Sequence, residues 1–268
     1  MVQLGRRERQ RRVRDLFLGT LAILFVIAVT AGVGLFMANR PEGLNPESLC
    51  PAGGPRGHYV LLVDKTDPLT FTQREAFSVT LHELVERRIP EGFLISVFVL
   101  GEDFKETAKP LIELCNPGSG VGRSALTENV RQLQRQYQAR FLGPLLGQAE
   151  ALTSSQPSKW SPILEMLQLV GINAFRKYEV KGERRLVLLS DMLHNTSQFS
   201  MYKGPVDFTA FAASDYGRKT QAELRDVDVE LHYLINSPQL QTKRNLKFWE
   251  DYFRKAGARI VSVRPLEG

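Results

Sequence analysis

The chain is poor in the residues that staple or metallate small proteins. It has 2 cysteines and 4 histidines in 268 residues. Two cysteines exclude a four-cysteine zinc cluster and a disulfide-rich scaffold. His58, His82, His194 and His232 show no metal-ligand spacing, and only His194 stands near other polar candidates. There is no internal repeat, which excludes solenoids and arrays. Beyond the first residues no basic stripe is interleaved with aromatics, which argues against nucleic-acid binding. The glycine-rich stretch GSGVG, at 118–122, lacks the Lys-Ser/Thr that a phosphate loop needs and reads as a flexible loop.

What is present is unevenly spread. Arg6, Arg7, Arg9, Arg11, Arg12 and Arg14 stand in residues 1–15 against Glu8 and Asp15, so the net charge of +6 belongs largely to this basic tail. Residues 16–37 (LFLGTLAILFVIAVTAGVGLFM) carry no charge. That run is long enough, as a helix, to cross a hydrocarbon core of roughly 30 Å. The arginines before it predict a cytoplasmic N-terminus and a single span, with the bulk of the chain outside the cytoplasmic membrane, periplasmic or extracellular. A cleaved signal peptide is the rival; its apolar region would be unusually long. Residues 38–57, rich in Pro, Gly, Asn and Glu, read as a linker, and the folded domain is expected over 58–268.

Within that domain buried strands alternate with helices. Strands are expected at 58–63, 93–100, 109–114, 185–190, 227–235 and 258–263. Thr72 and Glu75 have capping-box spacing for the first helix. Further helices are expected over 124–153, interrupted near Gly143-Pro144, and over 162–178, 208–224 and 241–256. The short link after the second strand predicts an antiparallel neighbour. The fold class is therefore α/β: a doubly wound, mostly parallel sheet of about six strands with one antiparallel edge strand, preceded by a transmembrane helix.

In such sheets ligands bind outside the carboxyl ends of the parallel strands. Asp64 and Asp191 both end strands. Thr66 and Asp67 follow the first, and Ser161 opens the helix that leads into the second. Carboxylates and hydroxyls suit a hard divalent cation, Mg²⁺, Mn²⁺ or Ca²⁺. Each residue also has a plain structural reading. Asp67-Pro68 starts turns, and Ser161-Pro162 makes a good N-cap and N1 pair, the leading reading for Ser161.

The pattern "VLLVDKTDPLT", "WSPILEML" and "VLLSDMLHN" resembles the von Willebrand factor A-like family and its metal-ion-dependent adhesion site. That family's loop reads Asp-x-Ser-x-Ser, with a Thr before a middle helix and an Asp after the fourth strand. Asp64 matches the first Asp, Thr66 the first Ser, Ser161 the Thr and Asp191 the later Asp. Pro68 occupies the second Ser position and offers no ligand, and Asp67 is the candidate substitute. The resemblance implies a protein-binding module, its cation held by Asp64, Thr66 and Asp191 and completed by a carboxylate of another protein. Phe199, Met201 and Tyr202 are the candidate partner-binding anchors in the loop after Asp191.

Two alternatives stay open. One is a structural scaffold of a membrane complex with an inactive site, which Pro68 favours. The other is a haloacid-dehalogenase-like phosphatase with Asp64 as nucleophile; there, Thr66 stands where an acid–base Asp is needed, and Lys181 is only a loose candidate for the phosphate lysine. Finally, Cys50 and Cys115 are expected at the end of the sheet opposite Asp64, paired as a disulfide.

Overall fold

In the computed structural model of the chain, residues 6–38, 43–121, 129–155, 157–204 and 206–267 are described. The chain divides into two compact units, 1–43 and 44–268. The first contains α1 (Arg6–Ala38), a continuous helix. Its stretch Arg14–Leu35 is long and apolar enough to cross a membrane. The basic residues thus continue into the same helix as the apolar run, rather than forming a separate tail.

The second unit follows the order β1 (His58–Asp64), α2 (Phe71–Glu83), β2 (Leu94–Leu100), β3 (Ile112–Cys115), α3 (Val130–Tyr137), α4 (Gly143–Leu146) and α5 (Ala149–Thr153). Then come α6 (Ile163–Val170), β4 (Arg184–Ser190), α7 (Phe208–Ala213), α8 (Asp215–Lys219), β5 (Val227–Ile235), α9 (Lys243–Lys255) and β6 (Arg259–Glu267). The six strands form one sheet in the order β3-β2-β1-β4-β5-β6. Only β3 runs antiparallel, against β2, as the short link predicted.

Every residue of β1 is buried, because alternate side chains feed two cores. Val60 and Leu62 pack under α6 and α9, with Trp249 and Phe253. Tyr59, Leu61 and Val63 pack on the other face, with Phe77 and Leu81 of α2 and with Phe141. A strand covered on both faces must be apolar at consecutive positions, which is why it stood out in the sequence.

Several local expectations are corrected. The capping box lies two residues earlier: Thr70 Oγ1 accepts the Gln73 N–H at 3.2 Å, and the Gln73 side chain accepts the Thr70 N–H at 3.0 Å. Gly143-Pro144 does not break its helix, since a helical Gly143 and a proline at N1/N2 fit the run on to Leu146. The helix expected over 208–224 stops at Lys219, after a break at Ser214. Residues 124–128 of another expected helix, and Gly122 of the glycine-rich stretch, lie outside the described residues.

Residues 44–57 are packed structure, not linker. Leu49 and Cys50 are buried, and the Cys115 N–H donates to Ser48 O at 2.8 Å. This strap covers the short edge strand β3, whose backbone groups would otherwise stay unpaired. Cys50 and Cys115 form the expected disulfide, with Cα atoms 4.7 Å apart. Cys115 pairs with Leu94, the first residue of β2, which places the bridge at the end opposite Asp64.

Candidate functional site

The sheet order reverses at β1, with β2 on one side and β4 on the other. This switch point leaves a crevice beyond the carboxyl ends of β1 and β4. Val63 pairs with Leu189, so Asp64 lies beside Ser190, with Asp191 one residue further on. Both acids therefore reach the same rim.

Asp64 is tightly held. Its Oδ1 accepts the Thr66 N–H at 3.0 Å and the Thr66 hydroxyl at 2.7 Å. Its Oδ2 accepts the Ser190 hydroxyl at 2.7 Å. Ser190 in turn accepts the Met192 N–H at 2.9 Å. Sequence reasoning missed Ser190; its signal was a polar residue closing an apolar strand, immediately before Asp191.

Asp191 is fixed through its backbone. Its Oδ1 accepts the Leu193 N–H at 2.9 Å, while its Oδ2 is buried without a hydrogen-bond partner. The next residue, Met192, adopts a left-handed backbone, φ 57°, that costs a non-glycine residue energy. Helix α9 and the turn before it hold it there. Trp249 Nε1 donates to Met192 O at 2.8 Å, and Gln241 Nε2 donates to Asp191 O at 2.9 Å. The core aromatic of α9 thus aims a rim carboxylate, a link that no local motif encodes.

Burial first, and then the charges of Asp64 and Asp67, push the Asp191 carboxyl well above the ordinary carboxylate range. Burial also raises Asp64, against the lowering effect of the Ser190 and Thr66 hydrogen bonds. Asp67 is half-buried, and its loop is strapped down from behind. Ser155 Oγ donates to Asp67 O at 2.9 Å, and the Ser158 N–H to Thr66 O at 2.9 Å.

Ser161 does not cap α6. The N-cap position is Pro162, and Ser161 Oγ is buried with no hydrogen-bond partner. Its backbone pairs instead with Asn195, tying the segment before α6 to the loop after β4.

The three aromatic and sulfur anchors separate. Met201 is 3% exposed, and its Sδ accepts Asn245 Nδ2 at 3.4 Å. Phe199 stacks on His194 and Phe248 and packs on Phe211. Met201 belongs to the core, and Phe199, partly buried, packs against it. Tyr202 alone is open, at 46% exposure. Its hydroxyl lies in the field of Asp191, Asp67 and Asp64, which, after burial, raise its titration. His194 is a core histidine: its Nε2 bonds the Tyr216 hydroxyl at 2.9 Å, and burial lowers it to about 3.

The donor set suits a hard cation. Thr66 offers a hydroxyl, and the partnerless Ser161 Oγ and Asp191 Oδ2 are buried oxygens. Among the described residues no group of three His, Cys, Asp or Glu side chains is gathered to hold a metal. A cation here would rest on hydroxyls and water as much as on carboxylates.

No family model matches the chain, and no curated protein matches it. Among solved structures it is similar to an aerotolerance-related membrane protein from Bacteroides fragilis, at 8% identity and a TM-score of 0.35, covering 79% of this chain and 91% of that one. It is also similar to the VWA domain of SpRpn10, at 8% identity and a TM-score of 0.38, covering 79% of this chain and 89% of that one.

Proposed function

We propose that this chain is a membrane-anchored protein-interaction module. Its N-terminus lies in the cytoplasm and its α/β domain outside the cytoplasmic membrane, in the periplasm. The rim of Asp64, Thr66, Asp67, Ser161 and Asp191 is the contact face, and a divalent cation, Mg²⁺ or Mn²⁺, sits among these oxygens. The observation that carries this reading is the buried, partnerless Asp191 Oδ2 beside Asp64 and Asp67, with a second partnerless buried oxygen, Ser161 Oγ, in the segment that pairs with the loop after β4. A fold that leaves such groups unsatisfied gives up stability that a ligand restores. A helix fit to span a membrane, followed by a disulfide-bonded domain, supports the placement outside the reducing cytoplasm.

Calorimetry of the protein with Mg²⁺ and with Mn²⁺ tests the cation. Saturable binding in the wild type and its loss in Asp191→Ala is the expected result. Capture of partners from membranes, with and without chelator, tests the contact face; Asp64→Ala is expected to abolish it while leaving the fold intact. Capture unchanged by both the variant and the chelator would retire the cation.

A scaffold with an inactive site is the second reading. Pro68, which offers no ligand, and the lack of a three-residue metal cage among the described residues favour it. It predicts no heat with either ion. The phosphatase reading is weakened by geometry. Both Asp64 oxygens are engaged, and Lys181 precedes β4, at the other end of the sheet. Turnover of an aryl phosphate would revive it.

A further inference from the structure

Next to the rim lies a cavity of about 490 Å³, lined by Asp67, Asp191, Tyr202, Thr70, Asn236 and Ser237 among others. Among the described residues that line it there is no lysine or arginine. Lys203, next to Tyr202, is exposed and is not part of the lining, and two other nearby basic side chains are engaged elsewhere. Lys65 Nζ donates to Ala151 O at 2.6 Å, and Arg74 donates to Leu69 O at 3.2 Å. Asp191 is 3% exposed, lines this cavity, and has a carboxylate oxygen with no partner. Tyr202 stands half open beside it, an aromatic face next to a negative socket.

We infer that this cavity receives a basic side chain, a guanidinium or an ammonium, of the partner protein. The inference rests on the reading of this rim as the contact face, and names the chemistry that the face selects. The reason is charge. Asp67 adds a third acidic side chain to Asp64 and Asp191 on the rim. The charged residues described in the cavity lining are acids alone, so a basic side chain meets attraction there and an acidic one does not. A guanidinium fits best. It forms paired bonds to a carboxylate, satisfies the free Asp191 oxygen and stacks on a tyrosine ring. Thr70, Asn236 and Ser237 supply uncharged polar groups for its remaining donors.

The test uses the full chain in detergent micelles with 3-fluorotyrosine at position 202. N-acetyl-arginine-amide and N-acetyl-glutamate-amide are titrated separately, each with chelator and with Mg²⁺, and the fluorine resonance is followed. The arginine probe is expected to shift it saturably in both media, and to bind about tenfold or more weakly in Asp67→Asn, a change that keeps the side-chain shape. The glutamate probe is expected to leave it still. Arginine binding undiminished in Asp67→Asn overturns the proposal. Saturable binding of the glutamate probe with Mg²⁺ also overturns it, while leaving the rim as the contact face. Silence with both probes overturns it as well, and partner capture with Asp64→Ala then decides the contact face separately.

Discussion

Towards the amino end of β1, Glu113 is met by Lys177 at 2.8 Å, Tyr178 at 2.9 Å and Ser96 at 3.1 Å; at the carboxyl end, Asp191 is met by Asp64 and Asp67. The contrast extends outward. A cavity of about 330 Å³ at the first end sets Arg176, Arg184 and Arg225 against Glu179, Glu223 and Asp226. The cavity at the second end has acids alone among the charged residues described in its lining. One end is also closed by the Cys50–Cys115 bridge. The same strands thus begin in a balanced, stapled network and end in unanswered like charge. Balanced charges and a staple do the work of holding the fold; unanswered buried charges weaken a fold and are kept where something binds.

The largest effect that would break this comparison lies at the stapled end. Replacing both cysteines by serine removes a closure of 65 residues, which is expected to cost about 4 kcal/mol in denaturant unfolding of the full chain in micelles. A loss under about 1 kcal/mol would show that the strap 44–57 holds without its bridge. Next comes the loop after β4. Met201→Ala is expected to destabilise by about 2–5 kcal/mol, because the side chain is core. Loss of partner capture with full stability would return Met201 to the surface.

At the charged end the sign reverses. Burial and two carboxylates keep Asp191 protonated at pH values where the unfolded chain has already released that proton. The folded state then binds more protons, so stability falls as pH rises from the ordinary carboxylate value toward the raised one. Asp191→Asn is therefore expected to raise stability at neutral pH, by about 0.5–2 kcal/mol, and to flatten the pH dependence above the ordinary carboxylate range. Lower stability at neutral pH would mean that this end is balanced after all. The smallest effect is Tyr202→Ala, expected within about 0.5 kcal/mol of wild type, since the ring is half exposed; its loss should appear instead in arginine-probe affinity read by calorimetry.

The alternation of apolar strands with helices, the single uncharged run and the two cysteines were enough to read the α/β class, the antiparallel edge, the candidate span and the disulfide. Each is a local pattern or a consequence of strand order. Hydrophobic period reports burial directly, so β1 and β4 were legible to within a residue or so. The errors fell where the deciding contact is remote. Phe199 and Met201 read as loop residues, yet Phe248 and Asn245 of α9 take them inward. Ser161 read as a helix cap, yet its backbone pairing with Asn195 places Pro162 at the cap position. Residues 44–57 read as linker from their Pro and Gly content, yet Ser48 bonds Cys115.

By itself the sequence determined which residues could carry charge to a strand end: Asp64, Asp67 and Asp191 were visible because a carboxylate that terminates an apolar run has few structural reasons to be there. Only the tertiary structure decided that they share one rim, that Ser190 and Thr66 occupy Asp64, and that Asp191 keeps one oxygen free. Those outcomes depend on the register of β1 against β4 and on Trp249 and Gln241 gripping the backbone after Asp191, contacts about 50 to 130 residues apart in the chain. Pairing at that distance is set by how two cores pack on one sheet, which no short stretch of sequence encodes.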